Sequence, residues 1–325
     1  MRRVVGLTLA GLGAFLIVAA LLLRSFVGGQ VIKLPLNEFL ITTLEGTGVS
    51  YLSPSTGNSV TGATMRVTST VKGRAKLGTS STAVWDSFTY LYDVTNHSTF
   101  QFDTRRVAFD RRTAELVNCC GSNVNGNTAV RQSGLVGFLW PFGVQKQTYQ
   151  VFDLGLNKPM PARYAGTSTI DGIKVYRFVE HVAPTRSGSQ TLPGSLVGMP
   201  GQQSVTLPEY YTATNTFWVD PLTGAQLNVN QDQKVTLNDA SGAQRLVLLD
   251  ADLKMTPQSL HTVVGLDKKG RSEFGWLEIT IPLVLGVVGL VALVVGIVLA
   301  RRKREDGQPD HAEASTPEPV LDPAS

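Results

Sequence analysis

Two long apolar runs, one near each end, limit what this chain can fold into. Val4–Leu23 holds 20 residues and Ile279–Ala300 holds 22, and neither contains a charge. At 1.5 Å rise per residue, a helix of either length spans a hydrocarbon core of about 30 Å. Basic residues precede the first run and follow the second, and such clusters stay cytoplasmic. We therefore predict that both termini are cytoplasmic, with an N-terminal anchor over 1–24, an extracytoplasmic domain over 25–276, a transmembrane helix over 277–300 and a tail over 301–325.

The first run has a second interpretation. Arg2-Arg3, the apolar stretch and Val18-Ala19-Ala20 also fit a signal peptide cleaved after Ala20. The apolar run continues through Leu23 and is longer than a usual signal core, which favours an uncleaved anchor. The tail is rich in Pro, Asp, Glu and Ala and has no aromatic residue. We predict that it is disordered, because it buries too little apolar surface to offset its ordering entropy.

The positive charge of the chain does not predict a nucleic-acid surface. The formal net charge is +4, but six of the 29 basic residues belong to the clusters flanking the apolar runs. Within residues 25–276, 22 basic and 18 acidic residues are scattered rather than arranged in a stripe. We expect membrane lipids as partners and no nucleic acid.

Between the apolar runs the chain is divided into short β-type segments. Thr, Val and aromatic residues alternate over stretches such as Ala63–Val71, Thr82–Tyr92 and Ile173–Glu180, and Asp171-Gly172 is a typical hairpin turn. Strands every 8–12 residues with little helical periodicity predict a mainly β fold, an antiparallel β-rich domain between two terminal transmembrane helices. Two helix candidates remain, Leu36–Leu44 and the weaker Pro257–Leu266. Further predicted strands cover Thr99–Phe102, Arg106–Asp110, Glu209–Val219, Ala225–Asn230, Gln233–Asn238 and Gln244–Leu249.

Two similar segments suggest an internal repeat. Ala108–Asn118 and Trp218–Asn228 match at an Asp, a Thr and an Asn, 110 residues apart. Both resemble a strand, a D-x-x-T turn and a returning strand. The domain is then either two related lobes, 45–150 and 151–260, or a domain with two ordinary hairpins that share turn chemistry. Residues 183–208 hold four Pro and four Gly, and we expect a structureless insert there, either an exposed hairpin loop or a flap over a groove.

The two cysteines are adjacent, Cys119-Cys120, and Gly121 follows them. An exported chain meets oxidising conditions, so we favour a vicinal disulfide that stiffens a turn. An intermolecular bridge and reduced thiols are the alternatives. The absence of nearby Cys or His makes a zinc site improbable.

Catalytic motifs are absent from the sequence, and we predict no catalytic, cofactor-binding or metal-binding residues and no cofactor. His97, His181 and His261 are isolated, and Asp86, Asp93 and Asp103 suggest a glycosidase-type pair only weakly. Arg105-Arg106 with Arg111-Arg112 forms a basic cluster suited to an anion or to protection of strand edges. A last group of aromatic residues could line a lipid or glycan cleft, although core packing is the default: Trp85, Phe88, Tyr90 and Tyr92.

Motifs over nearly the whole chain resemble the actinobacterial porin PorA-like membrane protein family. The resemblance rests on Leu34-Pro35-Leu36, Leu44–Gly48, Phe109–Thr113, Asn118–Gly121, Trp140-Pro141-Phe142, Lys146–Tyr149, Trp218–Pro221 and Thr223-Gly224, with the two terminal anchors. It implies a cell-envelope location in a high-GC Gram-positive bacterium and a connection with lipoglycan or mycolate-envelope assembly.

These observations favour a non-catalytic envelope protein that binds a lipid, a glycolipid or a partner membrane protein of envelope assembly. An extracytoplasmic hydrolase or transferase with a dispersed site is the first alternative. A porin or channel is the second. A self-contained β pore needs a lipid-facing apolar belt, whereas the predicted strands are rich in Thr, Arg and Asp.

Overall fold

A computed structural model describes residues 2–24, 33–276 and 280–301. The chain forms two compact units, one of Met1–Val31 with Gly275–Ser325 and one of Ile32–Phe274. The predicted disordered tail lies outside the described residues, apart from Arg301.

The first unit contains helices α1 (Arg2–Leu22) and α3 (Ile281–Arg301). Both are long and apolar enough to cross a membrane. They pack together through glycines, because a Cβ on Gly13 would overlap the backbone of Gly289, and one on Gly6 would overlap that of Gly296. Close backbone approach at small residues is typical of paired membrane helices. Since numbering rises along α1 as it falls along α3, the helices are antiparallel, with the start of α1 beside the end of α3.

The second unit is built on one sheet of twelve strands, all paired antiparallel. The strands are β1 (Phe39–Leu52), β2 (Ser59–Gly73), β3 (Thr82–Asp93), β4 (Ser98–Asp110), β5 (Leu116–Val117), β6 (Asn123–Val124), β7 (Tyr149–Asp153), β8 (Lys158–Ile170), β9 (Ile173–Leu192), β10 (Val205–Val219), β11 (Gln226–Asn238) and β12 (Gln244–Met255). Their order is β5-β4-β3-β2-β1-β12-β11-β10-β9-β8-β7, with β6 paired beside β4. The predicted mainly β, antiparallel fold is confirmed.

The sheet curls until its two edges are bridged. The Leu116 amide donates to the Gly134 carbonyl, and the Leu135 amide donates to the Gln150 carbonyl. The Phe152 amide donates to the Leu135 carbonyl. One short segment therefore bonds both the β5 edge and the β7 edge, which leaves few unpaired edge groups there.

The inner face of the curled sheet is packed with apolar side chains from both halves of the chain. Trp140, Phe109 and Phe178 are among the largest fully buried residues. The Trp140 and Phe178 rings stack with centroids 4.5 Å apart, and Trp85 meets Phe109 edge-on at 5.0 Å. Such offset and edge-on ring pairs add to the stabilisation that burial provides.

Helix α2 (Pro257–Gly275) follows the last strand. Thr256 begins it, because its hydroxyl accepts from the Ser259 amide and Pro257 takes the first helical position. Val263 and Val264 pack against Ile173, Val175 and Leu227 in a second small core. The predicted helix at Pro257–Leu266 is confirmed, and the structure extends it to Gly275.

The other predicted helix, Leu36–Leu44, is wrong. From Phe39 this segment is strand β1, which pairs with β2 from Phe39↔Lys72 onward and with β12 from Leu44↔Met255. Leu36, Leu40 and Leu44 recur at helical spacing, but Ile41-Thr42-Thr43 are β-branched residues. Pairing with strands on both sides outweighs the local periodicity.

Residues 183–208 are also not a structureless insert. Strand β9 continues to Leu192, and β10 begins at Val205, so most of the segment extends one long hairpin. A 3-10 helix, Gly194–Val197, forms its tip and buries Val197 against Leu207 and Leu237.

The two segments of the predicted repeat form similar turns. The Asp110 amide donates to the Glu115 carbonyl, and the Asp220 amide donates to the Ala225 carbonyl. Each Asp carboxylate also accepts from the Thr three residues later. One continuous sheet contains both turns, and the division into lobes 45–150 and 151–260 stays a prediction.

Candidate functional site

An exposed group of apolar side chains lies on the outer face of strands β1 to β4. We call it the aromatic face; its members are the exposed Phe39, Ile41, Phe88 and Phe102 and the half-buried Tyr90 and Tyr92. Phe39 is 62% exposed and Phe102 is 56% exposed. In a sheet whose inner face is already filled, exposed rings grouped on one side are unusual and mark an interaction surface.

Strand register places these side chains next to one another. Tyr90 lies opposite Phe102, and their rings stack with centroids 4.9 Å apart. Phe88 lies 5.7 Å from Phe102, and Tyr92 lies 5.6 Å from Tyr90. Thr68 and Thr70 of β2 lie opposite Tyr90 and Phe88 and continue the surface towards β1. The result is a continuous row of contacting rings bordered by hydroxyl groups.

Charged residues border the aromatic face on one side. Arg106 holds the Asp86 carboxylate with both Nε and Nη2, at 2.6 and 3.0 Å, and Arg74 Nε lies 3.4 Å from the same carboxylate. The hydrogen bond to Asp86 raises the pKa of Arg106 above its ordinary value. Lys72 of β2 lies opposite Asp86 of β3 on one side and opposite Phe39 of β1 on the other. This border therefore carries more positive than negative charge.

A pair of buried carboxyl groups lies inside the sheet. Glu180 is 1% exposed and Asp153 is 5% exposed. Asn215 donates to Glu180 Oε1 at 2.7 Å, and the Tyr211 hydroxyl donates to Asp153 Oδ2 at 3.2 Å. Glu180 Oε2 and Asn215 Oδ1 have no hydrogen-bond partner.

This burial changes the protonation of the pair. Burial raises the pKa of Glu180 to about 8; the hydrogen bond from Asn215 opposes the rise and the charge of Asp153 adds to it. Burial also raises the pKa of Asp153 and of Tyr211. Burial and the neighbouring charge of Asp153 therefore both favour the protonated form of Glu180 near neutral pH.

A second buried acidic pair fixes α2 to the β10–β11 turn. Arg271 Nη1 lies 2.7 Å from both carboxylate oxygens of Asp220, which is fully buried. The Thr223 hydroxyl lies 2.5 Å from Asp267 Oδ1 and 3.1 Å from Asp220 Oδ2. Burial raises the pKa of Asp267 to about 7, with the hydrogen bond to Thr223 opposing and the charge of Asp220 adding to the rise.

The structure separates the aromatic residues that the sequence grouped. Phe88, Tyr90 and Tyr92 lie together on the outer face, whereas Trp85 faces inward and is 3% exposed. Sequence reasoning missed Phe39, Ile41 and Phe102. The alternation of side chains along β3 could have separated the group, because even-numbered residues 88, 90 and 92 point to the face opposite to that of residue 85.

The predicted basic cluster is also divided. Arg105 is buried, donating to Gln132 Oε1 and the Val136 carbonyl at 2.8 Å each, and burial lowers its pKa to about 9. Arg106 lies outside on Asp86. Arg111 donates to the Leu34 carbonyl at 2.6 Å, which fastens the start of the unit to the β4–β5 turn. Arg105, Arg106 and Arg111 therefore each have a structural partner, and Arg112 lies exposed in the β4–β5 turn.

The predicted carboxylate and histidine candidates lie in separate surroundings. Asp86 binds Arg106, Asp93 accepts from the Tyr51 hydroxyl at 2.6 Å, and Asp103 accepts from Asn125 and Gln101. His97 lies in the β3–β4 turn, His181 on β9 and His261 on α2. Within the part of the chain that the structure describes, no three His, Cys, Asp or Glu residues group as a metal site.

Cys119 and Cys120 lie in the loop between β5 and β6, where the structure joins them as a vicinal disulfide with Cα atoms 3.8 Å apart. Cys120 has a φ of 60° and Gly121 a φ of 79°, so the pair lies in a tight turn. The Cys119 carbonyl accepts from the Ser122 amide and hydroxyl. The oxidation of this pair in the cell stays a prediction.

Comparison with known proteins identifies the family. The family model described as Porin PorA matches residues 5–298. A Porin PorA of Corynebacterium resistens is 24% identical over 61% of this chain and 66% of its own length. A Porin PorA of Corynebacterium amycolatum is 25% identical over 54% of this chain and 56% of its own. The chain thus spans less than two thirds of either relative. The predicted resemblance is confirmed, and the two apolar helices agree with membrane association: the chain belongs to the porin PorA family.

Proposed function

We propose that this protein is a non-catalytic, membrane-anchored protein of the cell envelope whose sheet binds a lipid or glycolipid. The aromatic face carries the proposal. Three rings, those of Phe39, Phe88 and Phe102, are exposed there outside a packed interior. Its role would be accessory to the assembly of envelope lipids or lipoglycans.

The chemistry of the aromatic face suits such ligands. Ring faces pack against acyl chains and against the apolar faces of sugars, and burying an exposed Phe is worth about 1.5–3 kcal/mol. The hydroxyls of Thr68, Thr70 and Tyr90 border the rings and can bond to the polar parts of a ligand. Rings that already stack on one another lose little freedom on binding, which favours affinity.

The proposed orientation places the sheet outside the cytoplasm and both termini inside. Its support is the basic residues beside each apolar helix, together with the antiparallel pairing of α1 and α3. A protein anchored at both ends meets its ligand close to the membrane and does not leave it as a soluble carrier.

The test is mass spectrometry of lipids that co-purify with the full chain after gentle detergent extraction. We compare the wild type with Phe88→Ser/Phe102→Ser, which removes two exposed rings. Val117→Ser/Leu154→Ser is the matched control, because these apolar residues are 39% and 48% exposed and lie outside the aromatic face. We expect a specific lipid class with the wild type and the control, reduced at least tenfold in the Phe variant. A bare wild-type protein, or equal lipid in all three, would refute the proposal.

A channel is the second candidate function, and the family description favours it. A path through the inside of the sheet would have to displace Trp140, Phe109 and Phe178, which are at most 1% exposed. We therefore place any conducting path among the helices of several assembled copies. Discrete, concentration-dependent conductance steps from the purified full chain in a planar bilayer would support this candidate. The absence of conductance steps at all protein concentrations would count against this candidate.

A further inference from the structure

We propose that the outer face of β1 and β2, together with the 3-10 helix Ala75–Leu77 that follows β2, recognises the anionic headgroups of a phosphate-bearing lipid surface. The contact residues would be Lys72, Arg74 and Lys76, with Phe39 and Leu77 entering the apolar layer. The inference rests on the proposed function and narrows its ligand from lipids in general to anionic lipid.

The acidic residues of this surface neutralise only part of its positive charge. On the outer face of β1 to β4, Glu45 pairs with Arg66 at 2.8 Å and Asp86 pairs with Arg106. Asp110, at the end of β4, accepts from the Arg112 and Thr113 amides, and the Glu38 carboxylate, beside Phe39, accepts from the Phe39 amide. Arg74 reaches the already occupied Asp86 only at 3.4 Å and keeps 47% of its side chain exposed. Lys72 and Lys76 make no ion pair with any residue that the structure describes, so two lysines without an ion pair and the weakly paired Arg74 lie within five residues.

The apolar residues lie beside these cations in a geometry suited to an interface. Phe39 is directly opposite Lys72 across β1 and β2, and the 3-10 helix Ala75–Leu77 presents Leu77, which is 42% exposed. Ile41, one row further, is 48% exposed. A lipid surface suits both the cationic and the apolar side chains. Its phosphates lie near the Lys and Arg groups, while Phe and Leu enter the boundary between headgroups and acyl chains. A free phosphate would leave the apolar side chains in water.

Full-length protein in nanodiscs of neutral phosphatidylcholine provides the test. The discs are captured on a biosensor and exposed to vesicles of phosphatidylcholine, with or without 30% phosphatidylglycerol. Empty discs set the baseline, and inorganic phosphate is tested as a competitor. Lys72→Glu/Lys76→Glu is compared with Lys158→Glu/Lys174→Glu, which makes the same charge change at exposed lysines of β8 and β9.

We expect the wild type and the β8/β9 control to bind anionic vesicles at least tenfold more tightly than neutral ones. The affinity of the Lys72/Lys76 variant for anionic vesicles should fall about 25-fold or more, since each Lys near an anionic surface contributes roughly fivefold to the affinity. Binding should weaken at high salt, and phosphate should compete poorly. Equal binding of both vesicle types, or equal loss in both variants, overturns the inference. If lipid still co-purifies in an aromatic-face-dependent way, the broader proposal stands.

Discussion

Glu180 provides a direct test of the interior, because its carboxyl group is buried with one oxygen unpartnered. Glu180→Gln keeps the size and the acceptor for Asn215 but removes the ionisable group. The new amide can also donate towards Asn215 Oδ1, which has no partner in the wild type. We expect the variant to be more stable than the wild type at neutral and alkaline pH.

The magnitude follows from the raised pKa. Because the fold favours the protonated form, its contribution is fully present below pH 4.5 and is lost as pH rises towards 8. At about 1.36 kcal/mol per tenfold change in proton affinity, the wild type should lose roughly 3–4 kcal/mol between pH 5 and pH 8. For a domain of this size, each kcal/mol corresponds to about 2–4 °C in Tm.

Thermal unfolding of the full chain in detergent, followed by tryptophan fluorescence, measures this loss. Trp85 and Trp140 are buried in the sheet and report its unfolding. The wild-type and Glu180→Gln curves should nearly coincide at pH 5 and separate by roughly 7–14 °C at pH 8. Glu115→Gln, at an exposed position, should follow the wild type. Parallel pH dependence in wild type and Glu180→Gln would refute the assignment of the raised pKa to Glu180.

Three further outcomes follow from the structure. Arg271→Gln should lower the free energy of unfolding by about 3–5 kcal/mol in thermal unfolding, since it leaves the buried Asp220 without its cation. Lys268→Gln removes an exposed ion pair with Asp171 and should cost under about 1 kcal/mol. Equal losses in the two variants would contradict this. Gly224→Ala, at a φ of 72° and against the Trp140 and Pro141 carbonyls, should lower Tm far more than Gly242→Ala, at a φ of 86° in open space, and similar shifts would argue against the packing. Alkylation of the denatured, unreduced protein should add no label to Cys119 and Cys120, and reduction should add two; labelling before reduction would show free thiols.

Strand positions were readable from the sequence because alternation in a half-exposed strand follows directly from its pleat. Asp171-Gly172, with φ values of 46° and 81°, forms the predicted hairpin turn between β8 and β9. Strand boundaries were less accurate. The predicted segments Thr99–Phe102 and Arg106–Asp110 are both part of β4, and Ala225–Asn230 and Gln233–Asn238 both belong to β11. Turn-forming residues within a strand do not interrupt it when neighbours on both sides supply hydrogen bonds.

The candidate sites were harder to predict because they depend on which face each strand buries. Ile173 and Val175 face α2 while Phe178 and Glu180 face the sheet interior, so both faces of β9 are buried. The buried Glu therefore has no distinct sequence pattern. The aromatic face depends equally on register, since Tyr90 meets Phe102 only when β3 and β4 pair as they do.

The pairing of β1 with β12 also has a consequence for how the protein is made. Leu44 pairs with Met255, about 200 residues later, so β1 cannot complete its pairing until β12 has been synthesised. At 5–20 residues per second, synthesis of that interval takes roughly 10–40 s, during which one edge of β1 stays open. Closing such a distant pair makes folding slow. Nearly the whole sheet must therefore be synthesised before it can close, and a factor that shields the early strands would raise the yield of folded protein.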